Sequence, residues 1–189
     1  MHAFARRVLF ICCLISTTVL KGQIGIVAYT GLSLMYTPNP ITNPENGFMS
    51  GYHFGIKALY GKKLFVEPGV SLHIMQQSAQ KNLDPFNGNP SIYLLKIPLQ
   101  MGYRLLETKD FGLRASAGGN LSFTTSVDEN VINLNGGSVK DVQFGILLGG
   151  GLDFGVLSVD VVFEKGIIPF YALNDYKADF FFISVGFSL

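Results

Sequence analysis

Residues 94–106 read LLKIPLQMGYRLL and alternate between two chemically different faces. The apolar face carries Leu95, Ile97, Leu99, Met101, Tyr103 and Leu105. The polar face carries Lys96, Gln100, Gly102 and Arg104. Alternation with a period of two predicts a β-strand whose two sides meet different surroundings. The run is also longer than the roughly 9–11 residues that a tilted strand needs to cross a bilayer.

The same alternation recurs along the chain and predicts eight strands. Their expected ranges are 23–36, 48–60, 64–75, 92–106, 111–123, 138–154, 157–168 and 177–189. Long connections rich in Pro, Asn, Asp and Gly alternate with tight turns. An even number of strands, with short turns at one end and long loops at the other, is typical of bacterial outer-membrane barrels. The sequence therefore predicts an all-β fold, a closed eight-stranded antiparallel up-and-down transmembrane β-barrel.

A soluble barrel of the lipocalin type is the alternative, with its apolar side turned inward. Only 14% of the residues are charged and 48% are hydrophobic, whereas ordinary soluble domains carry roughly 25% charged residues. The apolar faces of the predicted strands are almost free of charge, and the polar faces are rich in glycine, as a narrow lumen requires. A soluble exterior would need more Lys and Glu than the chain has. The composition therefore favours the membrane barrel.

Turn and proline chemistry predict local details of the sheet. Gly155 opens a two-residue loop, which suits a type II′ hairpin turn that pairs Phe154 with Leu157. Pro68 and Pro98 lie inside predicted strands. Because proline cannot donate to a strand ladder, we expect bulges at both positions.

The first 22 residues have the order of a secretory signal peptide. Arg6 and Arg7 precede an apolar run from Val8 to Leu20, and a small residue, Gly22, follows. Thirteen apolar residues fall short of the roughly 20 that a membrane-spanning helix needs. We therefore predict a signal peptide over 1–22 and an outer-membrane barrel domain over 23–189, with both termini in the periplasm.

The predicted cleavage also removes both cysteines, Cys12 and Cys13. The mature chain then has no thiol nucleophile and no thiolate metal site, and we expect no metal and no cofactor. Neither sign of charge forms a long run, so we expect no nucleic-acid partner.

Several short segments resemble the PorT-like family of small outer-membrane β-barrels. They are FVEPGVSLH (65–73), LLKIPLQMGYRLL (94–106), VFEKGI (162–167) and the closing FISVGFSL (182–189). The resemblance covers residues 23–189 and implies an outer-membrane barrel that the barrel insertion machinery recognises. Such barrels commonly end in an aromatic residue, whereas this chain ends in Leu189 with Phe187 two positions earlier.

An eight-stranded barrel has an interior about wide enough for side chains to fill. Six charged residues on the polar face are expected near the end with the short turns. They are Lys57, Glu67, Arg104, Arg114, Asp153 and Asp160. We predict that they form a salt-bridge belt that plugs the lumen. The alternative is a small ion-conducting pore.

The turn at 61–63 is expected to set Lys57 opposite Glu67 and His53 opposite Ser71. A Ser–His pair could act as nucleophile and base in a lipid-modifying enzyme. The pair faces the predicted lumen, however, and a lipid substrate would meet the outer wall. We therefore predict that the protein is not an enzyme and has no catalytic residues.

Three lysines lie on the apolar face near the long loops, namely Lys140, Lys165 and Lys177. We predict that they contact lipopolysaccharide phosphates. The expected partners are thus outer-membrane lipid, lipopolysaccharide and the insertion machinery, with an envelope or surface protein as a further candidate. The expected role is structural or interaction work in the envelope.

Overall fold

The computed structural model describes residues 24–37, 48–76, 91–108, 110–128, 137–172 and 175–189. The predicted signal peptide and much of three long connections lie outside these residues. In the ranges described, no helix is long and apolar enough to span a membrane.

The eight described strands close into a single barrel, in which each strand pairs antiparallel with the next and β1 pairs with β8. They are β1 (Ile24–Tyr36), β2 (Phe48–Gly61), β3 (Leu64–Gln76), β4 (Ser91–Glu107), β5 (Gly112–Val127), β6 (Val142–Phe154), β7 (Leu157–Gly166) and β8 (Asp179–Ser188). The predicted fold is confirmed, with small shifts at the strand ends. For example, β6 begins at Val142 because the backbone at Val139 pairs with Tyr171 instead.

The two faces of the strands lie as the membrane-barrel prediction requires. On β4, Leu99, Met101 and Leu105 are each more than half exposed on the outside, while Lys96 and Gln100 are buried inside. The other strands repeat this arrangement, with apolar residues outside and Ser, His and charged residues within. The lipocalin-type arrangement, with the apolar face inside, is therefore wrong.

The predicted pairing across the tight turn between β6 and β7 is confirmed. Phe154 pairs with Leu157, and Gly155 has a φ of 59°, in the left-handed region that glycine adopts without strain. We call this end of the barrel, where the strands are joined by tight turns, the short-turn end. Ile24 and Leu189 both line its mouth. The opposite end is the long-loop end.

The predicted register between β2 and β3 is wrong by two residues. His53 lies opposite His73, and Lys57 lies opposite Gly69. The physical reason is the turn, in which Gly61 pairs with Phe65 and has a φ of 125°. Leu64 therefore has no partner on β2 and pairs instead with Tyr103 of β4. A shift of two residues keeps every side chain on its predicted face.

The predicted bulges at Pro68 and Pro98 are also wrong. Along both ladders of β3 the register is the same before and after each proline, although pairs beside the prolines are missing. Because proline has no backbone N–H, the hydrogen-bonded ladder is interrupted at each proline, but no extra residue is inserted as in a bulge. The register shifts of β4 occur elsewhere, between Tyr93 and Leu94 and between Arg104 and Leu106.

The barrel interior is layered along its axis. A small apolar cluster of Val27, Leu59 and Phe65 lies at the short-turn end. Charged and polar side chains fill the middle. A larger apolar cluster occupies the long-loop end and contains Met35, Met49, Met75, Ile92, Leu94, Val139, Phe170, Tyr171, Ala178, Phe180 and Phe182. The candidate site is the polar layer between these two clusters.

Candidate functional site: the barrel lumen

Five of the six residues predicted for the belt form one ion-pair network, which we call the lumen network. Lys57 Nζ lies 3.1 Å from Glu67 Oε1 and 2.7 Å from Asp160 Oδ2. Arg114 completes it, because its guanidinium contacts Glu67 at 3.1 Å, Asp153 at 3.1 Å and Asp160 at 2.6 Å. The network thereby links β5 to β2, β3, β6 and β7.

Arg114 is the centre of this network. Its side chain is 3% exposed, and it contacts all three carboxylates. The opposite residue on β6 is Gly151, and a Cβ there would lie 2.7 Å from Arg114 Cζ. Glycine at position 151 therefore makes the room in which the guanidinium lies.

The structure does not bring Arg104 together with the other five. Arg104 lies directly opposite Arg114, yet its Nη1 donates to the Lys62 carbonyl at 2.9 Å. Its nearest carboxylate is the exposed Glu107, at 3.7 Å. The register shift just beyond Arg104 and its place near the strand end turn this side chain toward the mouth of the barrel.

A second buried ion pair lies closer to the long-loop end. Lys96 Nζ contacts Glu164 Oε2 at 2.8 Å, and Asn120 Nδ2 donates to the same oxygen at 2.9 Å. The ammonium also lies 3.7 Å from the ring centroid of Phe180, a close cation–π contact. Gly145 leaves space for the carboxylate, since a Cβ there would lie 2.6 Å from Glu164 Cγ. The polar face of the sequence contains both charges, but the alternation does not show that they pair.

Two imidazoles and three serines form a continuous hydrogen-bonded chain beside the network. Ser33 Oγ lies 2.8 Å from His53 Nδ1 and 3.0 Å from His73 Nδ1. The other ring nitrogens reach Ser184 Oγ at 2.8 Å and Ser71 Oγ at 2.9 Å, respectively. A hydroxyl donates one proton, so Ser33 donates to one ring and accepts from the other. With both rings neutral, the two histidines therefore carry opposite tautomers.

This arrangement does not form the predicted Ser–His pair. Ser71 bonds His73, whereas His53 bonds Ser33 and Ser184. Both rings face the lumen and are buried, and their hydrogen bonds go to serines. The contacts therefore do not form a serine nucleophile beside a histidine base that a carboxylate orients. Within the described ranges, no cluster of three His, Cys, Asp or Glu residues could hold a metal ion.

Part of the connection between β7 and β8 packs against the interior at the long-loop end, a feature that the alternation did not reveal. Phe170 and Tyr171 are about 1% exposed, and their segment is bonded to residues 138–140. Lys140 N donates to the Phe170 carbonyl at 2.9 Å, and Ala172 N donates to the Ser138 carbonyl at 3.0 Å. Burial raises the pKa of Tyr171 to about 12. We call this segment, together with the apolar cluster beneath it, the apolar cap.

A cavity of about 60 Å³ lies in the polar layer. Its lining includes Lys57, His73 and Lys96, together with Asn120. The Oδ1 atom of Asn120 is buried without a hydrogen-bond partner. A cavity of this size has room for about two water molecules at the density of the liquid, and a water there would satisfy that oxygen. The volume is too small for a lipid or sugar substrate.

The three lysines predicted to contact lipopolysaccharide lie at the long-loop end. Lys165 is 58% exposed and forms an ion pair with Asp179 at 2.6 Å. Lys177 is exposed and Lys140 is half-buried. One of the three charges is thus already paired within the protein.

Comparison with known proteins identifies the fold. No family model matches the chain, and no curated protein matches it in sequence. Neisserial surface protein A is similar in structure, with a TM-score of 0.58 and 14% identity over 88% of this chain and 97% of that chain. The outer membrane protein OprG from Pseudomonas aeruginosa is similar with a TM-score of 0.51 and 13% identity, over 89% of this chain and 97% of that chain. The chain therefore has the closed eight-stranded barrel fold found in small outer-membrane proteins.

Proposed function

We propose that this chain is an integral outer-membrane protein of the PorT-like type, with a structural or interaction role in the bacterial envelope and a plugged lumen. The observation that carries the proposal is the distribution of polarity. Large apolar side chains cover the outside, while ion pairs and hydrogen bonds fill the inside. Such an apolar exterior is suited to contact with the hydrocarbon core of a lipid bilayer. The segments that resemble the PorT-like family support the same assignment.

The filled lumen favours a plug over a pore. Within the part of the lumen that the structure describes, the buried cations are Lys57, Lys96 and Arg114, and the buried anions are Glu67, Asp160 and Glu164. The charges balance, and each carboxylate already has a cationic partner. An ion crossing this layer would have to break these pairs and then pass the apolar cap, at the cost of leaving charges buried and unpaired.

Planar-bilayer recordings test the plug directly. We expect the folded wild-type protein to give no discrete current steps, because network and cap both close the lumen. Heat-dependent gel mobility of the same sample verifies that the barrel is folded. Current steps that change in size when Asp160 is replaced by Asn would instead identify a pore.

Orientation and partners follow from the same proposal. Both termini lie in the periplasm, and the long loops face outward, where an envelope or surface protein binds. The insertion machinery recognises the closing strand β8, which carries the outward side chains Ile183, Val185 and Phe187.

Lipopolysaccharide contacts Lys140, Lys165 and Lys177 in this orientation, because ammonium groups at the long-loop end meet its phosphates. Replacing all three lysines with Gln is expected to reduce the lipopolysaccharide that copurifies with the barrel. The exposed Asp175 lies in the connection that also carries Lys177, and Asp175→Asn serves as a control that retains the lipid. Unchanged lipid content in the triple variant would contradict the contact.

A further inference from the structure

The turn between β2 and β3 presents two adjacent lysines at the short-turn end of the barrel. Lys62 and Lys63 are both exposed. The ammonium of Lys63 lies 5.3 Å from the ring centroid of Tyr103 on β4. Because Tyr103 belongs to the apolar, outward face, Lys63 is held on the outer wall of the barrel and not in its mouth. We call Lys62, Lys63 and Tyr103 the basic turn.

The backbone of the basic turn is fixed by the neighbouring strand. Arg104 N donates to the Lys63 carbonyl at 2.8 Å, and its guanidinium donates to the Lys62 carbonyl at 2.9 Å. The guanidinium is held in turn over the Phe65 ring, 5.8 Å from the centroid. Arg104 thus does not add its charge to the lumen network but positions this turn. A pinned turn presents its side chains with little loss of backbone entropy on binding.

The charges of the basic turn are available to a ligand. Lys165, at the other end of the barrel, is paired with Asp179, whereas neither Lys62 nor Lys63 forms an ion pair with any residue that the structure describes. A hydrogen bond with Tyr103, together with its charge interaction, raises the pKa of Lys63. The turn therefore presents two lysine ammonium groups that no carboxylate within the described residues neutralises.

An apolar surface adjoins these charges. Leu64 pairs with Tyr103, and the side chains of Leu64, Met101 and Leu105 are each more than half exposed on the outer wall. A ligand with an anionic head and long apolar tails would meet ammonium groups and apolar wall together. Free phosphate would meet only the charges.

We propose that the basic turn is a binding site for the phosphate of an anionic phospholipid in the leaflet at the short-turn end. The site rests on the proposed membrane location. Ammonium groups bind phosphate as point charges, and each lysine near an anionic lipid surface contributes about fivefold in affinity. A zwitterionic lipid, whose own amine offsets its phosphate, binds more weakly.

The experiment uses the full barrel in nanodiscs of phosphatidylethanolamine that contain a minor fraction of phosphatidylglycerol. Native mass spectrometry counts the lipids that stay bound to the protein. Wild-type protein is expected to retain phosphatidylglycerol preferentially. The Lys62→Gln/Lys63→Gln variant should lose about 30-fold in that preference. Lys62→Arg/Lys63→Arg should retain it, and Asp110→Asn, an exposed change at the same end, should leave it unaltered.

Three outcomes would overturn the proposal in distinguishable ways. Equal retention of phosphatidylglycerol by wild type and the Gln variant removes the site while leaving the membrane barrel intact. Full displacement of the lipid by millimolar inorganic phosphate assigns the site to free phosphate. Failure of folded wild type to enter the nanodiscs overturns the proposed function and the site with it.

Discussion

Replacing Arg114 with Met is expected to lower the free energy of unfolding by about 3–5 kcal/mol, whereas Arg104→Met should cost about 1 kcal/mol. The two arginines lie directly opposite each other on β5 and β4. They have the same side chain and neighbouring positions in the sheet. The comparison therefore isolates what each guanidinium contacts.

The difference follows from the carboxylates around Arg114. Glu67 and Asp160 are almost fully buried, and loss of the guanidinium leaves them with Lys57 as their remaining cationic partner. Buried carboxylates that lose a partner are costly because water cannot replace it. At Arg104, by contrast, the lost bond goes to the carbonyl of an exposed turn residue, Lys62. Water can hydrate that carbonyl again.

Urea unfolding of the inserted barrel measures both variants, with unboiled gel mobility as the probe of the folded fraction. The circular dichroism of each variant before unfolding controls for a loss of β-structure. Equal losses at the two positions would contradict the network, because they would mean that the ion pairs of Arg114 add no more stability than the contacts of Arg104. If Arg114→Met fails to fold, Arg114→Lys, which keeps the charge, should recover a folded barrel.

Most of the fold can be predicted from the sequence because the two sides of the barrel wall have different chemical surroundings. Every strand must alternate, and the alternation locates strands such as Ser91–Glu107 to within a few residues. Register is less well determined. The β2–β3 pairing was misplaced by two residues because Leu64 pairs with Tyr103 and not within its own hairpin, and such a shift leaves both faces chemically unchanged.

The candidate site was partly predictable for a related reason. A lumen this narrow forces opposite charges on its inner face together, which is why Lys57, Glu67 and Arg114 meet. The apolar cap was not predicted, since Phe170 and Tyr171 come from a connection with no alternation. A signal for it exists in the inward face of the strands, which turns apolar near the long loops, as Met35 and Phe180 show.

The ion pair of Lys96 and Glu164 gives the second large effect. Lys96→Met is expected to destabilise the barrel by about 3–5 kcal/mol, because Glu164 would stay buried but lose its cationic partner. Adding Glu164→Met should restore most of that loss. Replacement of a buried pair by apolar residues of similar volume is often neutral.

The surroundings of this pair favour the recovery. Phe180 and Phe182 already contact Lys96 from the side of the apolar cap, so two methionines would extend an existing apolar cluster. Asn120 would lose one acceptor but keep its bond to Ser122 Oγ at 3.1 Å. Urea unfolding of wild type, Lys96→Met and the double variant measures the recovery. A double variant no more stable than Lys96→Met alone would show that the cost comes from lost packing against Phe180 and not from an unpaired buried carboxylate.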